Sequence, residues 1–264
     1  MRRGPWRRAV RSPRASREIR LLPLSTIPEI TRGADLAALV AGAAAREGVA
    51  FERGDVLVVA QKAVSKAEGR TIALSSVKPS ALALEWAPRL GQDARLIEVV
   101  LRESRRVIRM TERALIVETR HGFVCANAGV DRSNVPGERL TLLPEDPDAS
   151  ARRIAAALRG RTGMAIAVVI TDTFGRPWRL GLVNVAIGAA GLGVLEDLRG
   201  RRDAYGHALR ATILAVADEL AAAAGLLMGK RESVPAVIVR GYRYRPARET
   251  AQRLLRPAAE DMFR

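Results

Sequence analysis

The spacing of hydrophobic and polar positions changes repeatedly along the chain, and the changes predict interleaved strands and helices. Ile19 to Leu24 reads as a short strand. Asp35 to Glu47 places Leu36, Leu39, Val40 and Ala43 at helical spacing, with Gly48 as a stop. Asp55 to Ala60 is nearly continuous apolar sequence, the pattern of a strand covered on both faces. Thr71 to Leu74 is a further candidate strand. Ser80 to Leu90 and Asp93 to Ser104 read as two helices separated by Gly91. Val107 to Met110, Ala114 to Thr119 and Gly122 to Ala126 read as β-structure, the last two joined by a tight turn at Arg120-His121.

The second half continues the alternation. Leu140 to Pro147 is a proline-rich connection, and Asp148 or Ser150 can cap a helix from Ala151 to Arg159. Ala165 to Thr171 is the most strongly apolar strand, and Leu182 to Ile187 is another, followed by a glycine-rich stretch through Gly193. His207 to Met228 predicts a long helix with an alanine face, Ala236 to Arg240 a last core strand, and Glu249 to Phe263 a closing helix. The interleaving points to an α/β class of mixed α+β character.

Composition narrows the function. The chain has 264 residues, 48% hydrophobic and 27% charged, which excludes bulk disorder and leaves room for one large core or two smaller ones. No apolar run approaches the ~18 residues of a membrane-spanning helix; the most apolar stretch, Ala217 to Met228, contains Asp218 and Glu219. The single cysteine, Cys125, excludes an intramolecular disulfide and a cysteine metal cluster, and suits a reducing cytoplasm. Residues 1–20 carry eight arginines against Glu18 alone, so 1–17 is expected to be a disordered basic tail and 18–264 the folded catalytic region. The tail lacks the apolar stretch of a secretory signal. A net charge of +16 favours polyanionic ligands such as nucleotides. It also admits a nucleic-acid-binding alternative, but aromatics at 4% lack the interleaving that single-strand binders use.

The common nucleotide signatures fail. Gly225 and Gly229 have three residues between them, too few for a P-loop, and Glu196 stands where a dinucleotide fingerprint starting at Gly191 needs glycine. No Gly-x-Ser-x-Gly elbow is present. Polar groups at strand ends remain. Asp172-Thr173 follows the strand ending at Thr171, then comes Phe174-Gly175-Arg176-Pro177-Trp178-Arg179. A carboxylate beside a hydroxyl there suits a hard cation such as Mg2+ or Mn2+, and Arg176 and Arg179 can clamp anionic oxygens. Asn127-Ala128-Gly129-Val130-Asp131-Arg132-Ser133-Asn134 supplies a second carboxylate, Asp131. Ser65-Lys66-Ala67-Glu68-Gly69 offers Lys66, on a loop, to a phosphate. Each also reads as ordinary structure: a polar turn, an Asx turn, a solvated lysine. His207 reads as a polar helix cap and Cys125 as inert core.

In order, Leu22-Pro23-Leu24, Ser65 to Gly69, Asn127 to Asn134, Asp172-Thr173-Phe174-Gly175-Arg176-Pro177-Trp178-Arg179, Ala215 to Ala221, Met228-Gly229 and Val239-Arg240-Gly241 resemble one family. It is the coenzyme F-420-0:L-glutamate ligases, the gamma-glutamyl ligases of deazaflavin biosynthesis. The resemblance implies a two-subdomain fold flanking a cleft, in a homodimer without membrane attachment. It implies a GTP-dependent ligase that adds L-glutamate to the lactyl carboxylate of the deazaflavin precursor through an acyl phosphate; an amide ligase for another acid is the neighbouring reading. Asp131 and Asp172 match catalytic ligands of one divalent ion, Mg2+ or Mn2+, and Thr173 a ligand of a second, with K+ as a further cofactor candidate. Leu22, Pro23, Leu24, Ser25, Gln61, Lys62, Lys66, Asn134, Met228, Gly229 and Lys230 match nucleotide contacts. Lys230 stands where relatives offer an amide oxygen to the second ion. A protonated lysine has no lone pair, which moves it to the phosphate side.

Overall fold

The computed structural model describes residues 18–132, 137–229 and 233–261. The tail expected over 1–17, Asn134 and Lys230 lie outside them. The chain runs through strand β1 (Arg20–Pro23), helix α1 (Leu36–Arg46), strand β2 (Val56–Ala60), helix α2 (Gln61–Ala67) and strand β3 (Thr71–Ala73). Helices α3 (Ala81–Leu90) and α4 (Ala94–Arg102) lead into strands β4 (Ser104–Thr111), β5 (Ala114–Thr119) and β6 (Val124–Ala126). Strand β7 (Arg139–Thr141) and helix α5 (Pro147–Thr162) precede a long hairpin of β8 (Ala167–Arg176) and β9 (Arg179–Ala190). Short β10 (Glu196–Asp197) and β11 (Ile213–Leu214) are followed by helix α6 (Val216–Met228) and strand β12 (Ala236–Arg240).

The main sheet has the order β1-β12-β2-β8-β9. Its one parallel pair is β2 with β8, in register from Val56 opposite Ala167 to Ala60 opposite Thr171. β2 reads Val-Leu-Val-Val-Ala, so both of its faces must be covered. Val56 and Val58 pack with Val169, Val237 and Val239 under α6. Leu57 and Val59 pack with Val168, Ile170 and Ile238 under α1 and α5. The result is three layers, helix on sheet on helix. Ala217, Ala221 and Ala224 are fully buried, and their small side chains let α6 lie close to the strands. A second cluster joins α3 and α4 to β5 through Ala83, Ile97, Val100, Leu115 and Val117, and it includes Val130 beside Asp131.

Two aspartates, Asp148 buried and Asp218 half-buried, hold β9, the last strand of the sheet order. Asp148, in the first turn of α5, accepts from the Ala189 and Ala251 amides through one oxygen, each at 2.8 Å. Asp218, in the first turn of α6, accepts from the Ala186 amide at 2.8 Å. Burial raises the pKa of both above the usual carboxylate range. β9 is thus tied from both helical layers.

Several sequence expectations are corrected. Residues 61–67 form a helix, so Lys66 is not a loop lysine. α5 starts at Pro147 with Asp146 as its cap, because Asp148 turns inward to the sheet. The long helix expected from His207 begins only at Val216. His207 sits in an exposed turn where its amide donates to Asp203 at 2.9 Å, so it caps no helix. The closing helix reduces to short 3-10 turns at Ala251–Leu254 and Ala258–Glu260. Pro257 interrupts it, and Glu249 accepts from the Val194 amide at 3.0 Å.

Candidate active site

A cleft of about 970 Å³ opens beside the carboxyl ends of β2 and β8. In open α/β sheets ligands bind at that position, outside the ends of parallel strands. Its walls come from Ile27 to Ile30, the start of α2 at Gln61, Lys62 and Lys66, Thr171 to Thr173 of β8, Leu182 to Asn184 of β9, the end of α6, and Ser233 to Pro235.

Lys62 and Lys66 are one turn apart on α2, so they share a face. The Lys62 ammonium is 2.6 Å from Asp131 Oδ2, and the Lys66 ammonium is 2.6 Å from Glu29 Oε1. Gln61 is 1% exposed. Its Oε1 accepts from Ser65 at 2.9 Å, and its buried Nε2 has no hydrogen-bond partner among the described residues. A buried donor without a partner is costly, and a ligand acceptor at this wall would satisfy it.

Asp131 is not among the cleft walls; it follows a sharp backbone turn and meets Lys62, which is one of them. Asn127 and Ala128 both have φ of 53° and Gly129 has 68°, a left-handed run that is strained for alanine. It seats Val130 in the second core cluster. Asp131 is then pinned by paired backbone hydrogen bonds with Thr141, at 3.1 and 2.9 Å, and its side chain meets Lys62.

Asp172 and Thr173, expected directly after a strand ending at Thr171, lie within β8, which runs on to Arg176. Cys125 of β6 lies close enough for its thiol to respond to the Asp172 charge. Burial and that charge together push the thiol up to about 12, so it is inert core as expected. The Thr173 hydroxyl donates to Asn184 Oδ1 at 3.1 Å across the hairpin.

Carboxylate and hydroxyl oxygens are the donor types that a hard divalent ion takes, and Asp172 and Thr173 present them on the cleft wall. Among the described residues no group of three or more His, Cys, Asp or Glu forms a complete cage. Two carboxylates and a hydroxyl instead suit an ion that shares its shell with water and phosphate, as Mg2+ does. The Lys62 ammonium already occupies a cation position on Asp131.

The other expected residues divide. Met228 and Gly229 line the cleft, with Gly229 at a positive φ of 48° that favours glycine. Leu22, Pro23, Leu24 and Ser25 are not among its walls: Leu24 is core, and Ser25 donates to Glu47 at 3.3 Å. The wall on that side comes from Ile27 to Ile30. Arg176 donates to the Leu180 carbonyl at 2.6 Å at the hairpin tip, and neither it nor Arg179 lines the cleft.

A family model described as F420-0:Gamma-glutamyl ligase matches residues 25–241. The chain belongs to that family.

Among similar curated proteins, the coenzyme F420:L-glutamate ligase of Methanothermobacter thermautotrophicus is 48% identical over 249 residues, covering 93% of this chain and 99% of the relative. That of Methanopyrus kandleri is 46% identical, covering 93% and 98%. That of Archaeoglobus fulgidus is 41% identical, covering 93% and 96%. Sequence reasoning missed Asn184, a polar residue in the largely apolar run from Leu182 to Ile187; only the strand register brings it to Thr173.

Proposed function

We propose that this chain is a GTP-dependent ligase that joins L-glutamate to the lactyl carboxylate of the coenzyme F420 precursor. The observation that carries the reading is the meeting of Lys62, Lys66, Asp172 and Thr173 in one cleft of nucleotide size, in a chain of this family. The γ-phosphoryl group passes from GTP to an acceptor carboxylate oxygen, leaving GDP. The glutamate amine then attacks the acyl carbon, phosphate leaves, and the amine releases a proton as the amide forms.

Lys62 and Lys66 offset phosphate charge at the cleft wall. Asp131 and Asp172 would hold one divalent ion and Thr173 would contribute to a second; Mg2+ or Mn2+ there would neutralise charge on phosphate oxygens. Gln61 Nε2 supplies a donor to a nucleotide acceptor. The apolar walls, among them Ile27, Ile30, Val234 and Pro235, exclude water that would hydrolyse an acyl phosphate. No helix among the described residues is long and apolar enough to cross a membrane, and the buried free thiol of Cys125 fits a cytoplasmic setting. A homodimer would use the tip of the β8–β9 hairpin, where Trp178 and Leu180 are 81% and 97% exposed.

Oxygen-18 in the acceptor carboxylate tests the acyl phosphate. The reading expects one labelled oxygen to leave in inorganic phosphate. Unlabelled phosphate would contradict that route.

A further inference from the structure

Thr173 and Asn184 face each other across the β8–β9 hairpin, and their side chains form a 3.1 Å hydrogen bond. On its other side the Asn184 amide lies 3.6 Å from Met228 Sδ, on α6. A thioether sulfur has no hydrogen to give. The amide must therefore turn its NH2 to Met228 and its oxygen to Thr173. That oxygen can only accept, so the Thr173 hydroxyl must spend its proton on Asn184.

Room for this arrangement is made by Gly225. A Cβ on Gly225 would lie 2.9 Å from Asn184 Cγ. Thr173, Asn184, Gly225 and Met228 all belong to the cleft wall. The chain from Met228 through Asn184 to Thr173 thus fixes a proton direction. With its hydrogen committed to Asn184, the Thr173 oxygen keeps its lone pairs for a cation.

We infer that Asn184 is a positioning residue that holds the Thr173 hydroxyl as a lone-pair donor toward a divalent cation bound with the nucleotide. This rests on the reading of Thr173 as a cation ligand. Residues that orient a metal ligand typically alter metal affinity by ~10–100-fold when replaced.

The test is Mn2+ binding by the full chain in the presence of GDP, followed by the paramagnetic resonance of free Mn2+. Melting temperature is recorded for each variant. T173V should weaken one class of bound Mn2+ by at least about tenfold, and N184L should weaken the same class similarly. N184D keeps an acceptor for the Thr173 proton and should restore it. G225A leaves every polar group in place but displaces Asn184, and should follow N184L. Unchanged affinity in N184L beside weakened T173V overturns the positioning role. So does an equal loss in N184L and N184D, which traces the effect to packing. Unchanged affinity in T173V overturns the reading of Thr173 and this inference with it.

Discussion

Asp148 shows what one buried carboxylate does to stability. Its single oxygen serves the Ala189 and Ala251 amides, and burial lifts its pKa above the ordinary range. The sign follows from linkage: the folded state holds the proton more tightly than the unfolded chain. This group's contribution to stability therefore falls as pH rises from about 4 through its raised pKa. Asp148→Asn removes that ionisation and keeps an acceptor oxygen. Its melting temperature relative to the native chain should rise between about pH 4 and neutrality. A difference that stays flat or falls would contradict the assignment. Asp148→Ala strips both amides of their acceptor and should cost roughly 1–3 kcal/mol for each. At the same scale, Asp172, Thr173 and Lys66, singled out in the sequence as polar groups following apolar runs, do line the cleft, though from within β8 and from α2, while Asp131 meets it only through Lys62. Asn184 was not legible in the sequence, because its meaning depends on which residue of β8 lies opposite it.

Elements were legible where one physical signal dominated. β2 and β12 are apolar runs too dense for a half-exposed strand, and α1 carries a clear cap at Asp35 and a stop at Gly48. α2 escaped because seven residues make too few turns to display a period. α6 was overextended at its start because Ala208 to Ala215 continues the apolar pattern, whereas Ile213 and Leu214 pair with β10 instead. Close approach between elements is also invisible locally. A Cβ on Gly188 would lie 2.5 Å from the Pro147 backbone, joining β9 to the start of α5. Gly188→Ala must move backbone and should destabilise by several-fold more than a surface change, on the order of 3 kcal/mol. Gly160, within α5, has nothing within 4 Å of the point where an alanine methyl would stand. Gly160→Ala should stabilise by about 0.4–1 kcal/mol. Urea titrations of both would check the contrast, and a stable Gly188→Ala protein would show that this contact can relax.

For the whole molecule, the class was legible from interleaved periods, but the cleft was not. It needs β2 and β8 side by side in parallel, and it needs the left-handed run at 127–129 to carry Asp131 over to Lys62. Both are long-range facts. The exposed apolar hairpin tip belongs to this scale too. Replacing Leu180 with Asp changes a side chain that is 97% exposed and touches no core. On the proposed homodimer, it should leave melting of the fold intact and shift sedimentation from dimer toward monomer. Unchanged sedimentation would remove the tip from the interface.

The most direct test of the central claim is mass spectrometry of the product formed by the full chain from the coenzyme F420 precursor, L-glutamate, GTP and Mn2+. The account predicts a gain of one or more glutamyl groups, matched by GDP and phosphate, and its loss by orders of magnitude in Asp172→Asn while the protein stays folded. No gain in mass, a gain without GTP, or near-normal turnover in Asp172→Asn would contradict it.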